Sequence, residues 1–148
     1  MKVAQLELAA ELNLPVAIHD RDAHEQIIAT LQKDPTRARR GILHAFSGSV
    51  EMAHTAFDLG FVVSLGGPIT FKNNKHAPAL VPALPLEKIL IETDSPYLTP
   101  HPFRGKRNEP AHVNLIAQQI AARHGLSIEQ VAAQTTRNAL ELFRLEGL

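Results

Sequence analysis

The chain has 148 residues, 45% of them hydrophobic and 20% charged, with 15 basic and 15 acidic side chains and no cysteine. At this length one domain spanning residues 1–148 with a sizeable buried core is expected. A balanced charge gives no general electrostatic grip on nucleic acid, and the missing thiols exclude disulfides and thiolate metal sites. No run reaches the roughly 18 apolar residues of a membrane span. Lys2, Glu7 and Glu11 interrupt any signal-peptide core at the start, so a cytoplasmic location without membrane association is expected.

Residues 2–12 are helical in pattern, with Val3, Leu6, Ala10 and Leu14 near i, i+3/4 spacing, and Asn13 and Pro15 end the helix. Residues 15–19 form a first strand that finishes in His19. Asp22 is placed to cap the next helix, with Glu25 completing a capping box. Ile27, Ile28 and Leu31 give that helix its buried face before Asp34-Pro35 stops it. A second strand, 42–44, preceded by Gly41, finishes in His44. Ser49 caps a helix whose apolar face is Val50, Ala53, Ala56 and Phe57, and Gly60 closes it. A third strand, 61–65, runs into Gly66-Gly67-Pro68. The pattern between 70 and 85 is weak, with a short helix expected near 78–84. A fourth strand is expected over 88–93: an apolar run, Ile89 to Ile91, reaches Glu92 and Asp94 before Pro96 halts it. After a loop at 100–108, Pro110 opens a helix carrying Val113, Ile116, Ile120 and Ala121, ended by Gly125. Ser127 and Gln130 start another through a capping box, and a last amphipathic helix is expected over 136–145.

The chemistry gathers at strand tips. His19, His44 and Asp94 each sit at the C-terminal end of an apolar, parallel-type strand, where barrel and open α/β enzymes place their active sites. These are ligand types suited to zinc, manganese or iron. A lone strand-end histidine is more often structural; two at equivalent tips, with an aspartate at a third, favour a metal site with an open position. Strand alternation puts Leu90, Glu92 and Asp94 on one face. Glu92, one pleat deeper than Asp94, either orients a metal ligand or is a buried carboxylate satisfied by the interior. Arg104, Lys106 and Arg107 follow the Asp94 strand and lie on its catalytic face. With Lys72 and Lys75 they hold phosphates, or they form a solvated loop. Arg21 contacts a phosphate or fixes its loop through Asp22. Arg37, Arg39 and Arg40 precede a strand and belong to the opposite, structural face. His101 and His112 flank the basic loop within reach of a phosphate but read first as solvated or capping, and Phe46 and Tyr97 are candidates to stack on a base, with packing the favoured role for Phe46. His24, His54, His76 and His124 are assigned no chemistry.

The strings PVAIHDRDA (15–23), HAFSGS (44–49), VSLGGPITF (63–71), ILIETDSPYLTP (89–100) and PFRGKRNEPAHV (102–113) resemble the TatD family of metal-dependent deoxyribonucleases. The resemblance covers essentially the whole chain. It implies the amidohydrolase-like (β/α)8 barrel, an α/β TIM-barrel-type fold. The chain matches its C-terminal half: about four parallel strands with flanking helices. Strand tips at His19, His44, Gly66 and Asp94 suit a barrel of about 250 residues, at roughly 31 per βα unit. The resemblance implies divalent metal ions (Mg, Mn or Zn, usually two) and DNA as substrate. His19 and His44 correspond to ligands from the fifth and sixth strands. Asp94 corresponds to the ligand of the eighth, which also takes the proton of the attacking water. The family's H-x-H pair on the first strand and bridging glutamate on the fourth have no counterpart here. At most one metal is therefore expected to be well held, and the isolated chain is expected to be weakly active or inactive. A half barrel exposes two strand edges and its inner face. The expected partner is a second copy or an N-terminal half. The alternative is a non-catalytic fragment acting as a structural or interaction module.

Overall fold

Four short apolar runs form the centre of the molecule. The computed structural model describes residues 3–34 and 40–145. Strands β1 (Val16–His19), β2 (Gly41–His44), β3 (Phe61–Leu65) and β4 (Ile89–Ile91) make one parallel sheet in the order β1-β2-β3-β4. Spatial order equals chain order, so each crossover steps one strand along, as in a (β/α)8 barrel. Helix α1 (Val3–Glu11) precedes β1, while α2 (His24–Lys33) and α3 (Val50–Asp58) form the first two crossovers. A 3₁₀ turn (Gly67–Thr70), α4 (Ala77–Ala83) and a second turn (Leu86–Lys88) form the third crossover. A turn at Pro110–His112, α5 (Val113–His124) and α6 (Ile128–Phe143) follow β4.

The register pairs Ala17 with Ile42, His19 with His44, Ile42 with Val62, and Ser64 with Leu90. Alternation then divides the sheet into two faces. Ile18, Leu43, Phe61, Val63, Leu65 and Ile89 form the main core with Ile27, Leu31, Ala56, Val81, Ile116 and Ile120 of the helices. On the other face Ile42 and Leu90 are buried with Leu142 of α6, flanked by Val62 and Ala139. His19, His44, Ser64 and Glu92 continue that second face towards the C-terminal ends of the strands. One end of the inner face is thus covered by α6, and the other carries the polar groups.

Side-chain bonds to neighbouring segments fasten α6 in place. Asn138, 5% exposed, donates Nδ2 to the carbonyls of Leu86 and Ile89, each at 2.8 Å. Arg40 donates to Leu142 O at 2.8 Å and to Asn13 O at 2.7 Å, which joins the ends of α6 and α1 beneath the sheet. Arg37 and Arg39 lie outside the described residues. Asn138→Ala removes a donor from two carbonyls, of which Leu86 O keeps its bond from Ile89 N, and is expected to cost about 1–2 kcal/mol. Urea unfolding should show a lower midpoint at unchanged slope; an unmoved midpoint would mean that this side chain does not hold α6.

Several local expectations change in the folded chain. The capping box at Asp22 and Glu25 does not form: Ala23 is the N-cap, without a side-chain bond, and Asp22 is left-handed (φ 57°). Asp20 takes the capping part instead. It is 8% exposed, accepts from Ala23 N at 3.2 Å, and contacts His24 Nδ1 at 2.5 Å. The helices expected from Ser127 and over 136–145 are one continuous helix, because burial of Thr135 and Asn138 against the β4 side outweighs the weak propensity of the Thr-Thr pair. The fourth strand ends at Ile91 rather than 93, with one further bond from Glu92 N to Leu65 O at 3.1 Å.

Other signals appear as read. Ser49 accepts from Met52 N at 3.2 Å, Ser127 and Gln130 close a full capping box, and Gly125 is the left-handed C-cap (φ 67°) of α5. The Ser49 hydroxyl and a backbone amide hold the Glu51 carboxyl below its usual range. Its contribution to stability is present above the ordinary carboxylate pKa and is lost as pH falls through the lowered one. Among the described residues no helix is long and apolar enough to cross a membrane.

Candidate active site

The polar layer is built around His44, at the end of β2. Its Nδ1 lies 2.8 Å from Glu92 Oε2. Ser64 Oγ, on β3 between them, also donates to Glu92 Oε2 and accepts from Ala45 N at 3.3 Å. Since a carboxylate oxygen only accepts, Nδ1 carries the ring proton, and in the neutral ring Nε2 is the bare nitrogen. That nitrogen faces Asp94 Oδ1 at 3.4 Å. Two electron-rich atoms at this separation repel unless a proton or a cation lies between them. Glu92 Oε1 is also buried and has no hydrogen-bond partner, which leaves a second acceptor open to a cation or donor.

Asp94 reaches this position by a turn, not by strand alternation. Its backbone is left-handed (φ 55°), a region that Asp and Asn tolerate better than other residues with a Cβ, and its carbonyl accepts from Tyr97 N at 2.9 Å. The expectation that Asp94 continues the Leu90–Glu92 face as a strand residue is therefore corrected, because the strand has already ended. His19 is exposed, and its ring centroid lies 5.7 Å from that of His44.

The donors suit a divalent cation in kind but fall short in number. Among the described residues no group of three or more His, Cys, Asp or Glu is arranged to hold a metal ion. The close pair is His44 and Asp94, with His19 beside them. A tetrahedral zinc site with three protein ligands would need His19 to move inward or a donor from elsewhere.

Sequence and structure comparisons agree on ancestry. Residues 3–144 match the family described as TatD related DNase. The chain belongs to the TatD family. It is 48% identical over 141 residues to a Bacillus subtilis protein named an uncharacterized metal-dependent hydrolase, YabD, covering 95% of this chain and 55% of the relative. It is 38% identical over 147 residues to a Pantoea ananatis protein named 3'-5' ssDNA/RNA exonuclease TatD, covering 96% of this chain and 56% of that protein. The crystal structure of the TatD homologue YJJV from Escherichia coli superposes with a TM-score of 0.88 at 29% identity, over 95% of this chain and 54% of that one. The parallel sheet with its flanking helices is thus the TatD α/β barrel arrangement, and the chain spans just over half the length of these relatives.

The basic residues of the TatD-like loop are only partly free. Arg104 lies 4.1 Å from the Phe71 ring centroid and donates to Asn73 Oδ1 at 2.9 Å, so it ties the loop after β4 to the loop after β3. Lys106 Nζ sits 5.8 Å from the Phe103 ring, and its carbonyl accepts from Thr99 Oγ1 at 2.5 Å. Arg21, Arg107, Lys72 and Lys75 are exposed. Phe46 is a core residue, whereas Tyr97 is 71% exposed. His112 is half-buried and stacked on Phe103 at 4.9 Å, not solvated.

Two further residues escape a reading of the sequence alone. Ser64 left a usable trace: a hydroxyl in an otherwise apolar strand, on the face shared by Leu90 and Glu92. Asn108 left none beyond its place in the PFRGKRNEPAHV string.

Proposed function

We propose that this chain carries the His19, His44 and Asp94 side of a TatD-type metal-dependent hydrolase, and that the reaction is hydrolysis of DNA phosphodiester bonds. The observation that carries the reading is His44 Nε2 set 3.4 Å from Asp94 Oδ1 while Nδ1 of the same ring lies 2.8 Å from Glu92 Oε2. A Mg, Mn or Zn ion, when bound, supplies a water acidified towards neutral pH. The rest is the work of this chain's residues. Glu92 and Ser64 fix the tautomer and angle of the His44 ring. Asp94 is the carboxylate placed to accept the water's proton. Lys106 and Arg107, with the free edge of Arg104 and with Arg21, position the phosphate. The nuclease name of the Pantoea ananatis relative supports a nucleic acid as substrate. Remaining metal donors come from a partner: an N-terminal half of the barrel or a second copy of this chain.

The test is cleavage of single-stranded and duplex DNA with Mn²⁺ or Mg²⁺, by the chain alone and by the chain joined to the N-terminal half of a TatD relative. The joined protein is expected to cut strongly and the chain alone weakly or not at all, with chelator abolishing both. Equal rates would show that the chain needs no outside ligand. No cleavage and no metal binding in either form would favour a structural fragment.

A further inference from the structure

Asp94 stands outside regular secondary structure in a strained backbone region, so something must hold it. One buried side chain, fourteen residues along, bonds to both ends of its turn. Asn108 is 2% exposed, and both ends of its carboxamide and its backbone N–H are engaged. Its Nδ2 donates to Thr93 O at 2.7 Å and to Tyr97 O at 2.6 Å, the carbonyls on either side of the Asp94 turn. Its backbone N donates to Pro96 O at 3.1 Å. Its Oδ1 accepts from Glu109 N at 2.9 Å and faces His112 Nδ1 at 3.0 Å.

We propose that Asn108 is the positioning residue for Asp94: its carboxamide holds the 93–97 turn in the left-handed form that aims the Asp94 carboxylate at His44, and makes that turn one unit with the basic loop. The chemistry admits few replacements. Two carbonyl oxygens converge on one nitrogen, and only a primary amide of this length offers two N–H donors there while its oxygen accepts a backbone N–H beside it. Asp at this position would set a carboxylate against two carbonyls. Leu or Ala would leave those carbonyls without donors. Neighbouring contacts extend the unit into the basic loop: Thr99 Oγ1 donates to Lys106 O, Lys106 N donates to Phe103 O at 3.0 Å, and the His112 ring held by Asn108 stacks on Phe103. A phosphate gripped by Lys106 or Arg107 is therefore held by the same framework that aims the carboxylate. The aiming of Asp94 stands on geometry alone; the link to phosphate rests on the hydrolase reading above.

The test uses the full chain and nuclear magnetic resonance. In the unchanged protein, Asp94 should show the Cα shift and the HN–Hα coupling of a left-handed residue, and the two Asn108 Nδ2 protons should exchange far more slowly than those of an exposed amide. In Asn108→Ala and Asn108→Asp the left-handed signature of Asp94 should be lost, while methyl signals of Leu43, Val63 and Ile89 keep their dispersion. A folded variant in which Asp94 keeps its signature overturns the proposal. If neither variant folds, the unchanged protein decides: fast exchange of the Asn108 amide protons overturns the proposal and slow exchange supports it. Mn²⁺ affinity, read by electron paramagnetic resonance, should fall about tenfold in Asn108→Ala, the scale seen when a group that orients a metal ligand is removed. Unchanged affinity in a variant whose Asp94 has lost its signature overturns the aiming role. If the chain alone binds no Mn²⁺, the same affinity comparison is made in the chain joined to an N-terminal half, where absence of binding sinks the metal reading while the resonance result still decides the role of Asn108.

Discussion

Asp94→Asn should lower kcat for DNA cleavage about 10³-fold in the barrel completed with an N-terminal half, in line with loss of a general base. The variant isolates charge from shape. Asn tolerates the left-handed backbone at this position as readily as Asp does, so the turn at φ 55° should persist. The side chain keeps one oxygen towards His44 Nε2 but loses the negative charge that accepts a proton and attracts a cation. KM for DNA should change only a few-fold, because the phosphate contacts assigned to Lys106, Arg107 and Arg21 lie on other segments. A fall in kcat at near-constant KM marks an interaction made in the transition state. Steady-state rates on a labelled single strand would measure both. A variant within tenfold of the parent would remove Asp94 from the chemistry.

Gly67→Ala should destabilise the fold far more than a methyl added at an open glycine such as Gly105. A Cβ at this position would lie 1.7 Å from Leu98 O and 2.9 Å from Leu98 C, both backbone atoms that cannot rotate aside. Either the 3₁₀ turn after β3 or the segment around Leu98 must move. The cost should be about 3 kcal/mol, at the upper end for overpacking, and Tm should fall by about 10 °C. The consequence reaches the site, because Leu98 directly follows the turn that Tyr97 N and Asp94 O close, and a folded remnant should cleave DNA poorly. Gly105 is the control. A Cβ there meets nothing within 4 Å, and only its positive φ of 89° resists substitution. Gly105→Ala should cost about 1 kcal/mol. Equal melting shifts for the two variants would show that the close approach at Gly67 is not what limits the fold.

The elements that were legible in the sequence are those whose signals are local. Apolar runs reaching a polar residue mark β1, β2 and β4, a run reaching Gly66-Gly67 marks β3, and Ser49, Ser127 with Gln130, and Gly125 mark helix ends by bonds to neighbours a few residues away. Where two local signals compete, the sequence is ambiguous. Asp20 and Asp22 both stand before α2, and only burial of Asp20 against Ala23 N and His24 decides between them. Thr135 and Thr136 look like a break between helices, yet α6 runs through them because Asn138 is bound to carbonyls of the Leu86–Ile89 segment.

The sequence by itself determined that His19 and His44 end two strands, that Asp94 follows a fourth, and that a family of metal-dependent hydrolases shares the pattern, since strand ends and motif spacing are properties of contiguous residues. Only the tertiary structure decided how those groups meet. The tautomer of His44 is set by Glu92, 48 residues away, and the carboxylate of Glu92 by Ser64 at a separation of 28. The turn that aims Asp94 is set by Asn108, which bonds to carbonyls 15 and 11 residues earlier. Hydrogen bonds between segments brought together by the sheet have no periodicity along the chain, so no pattern of residue types announces them.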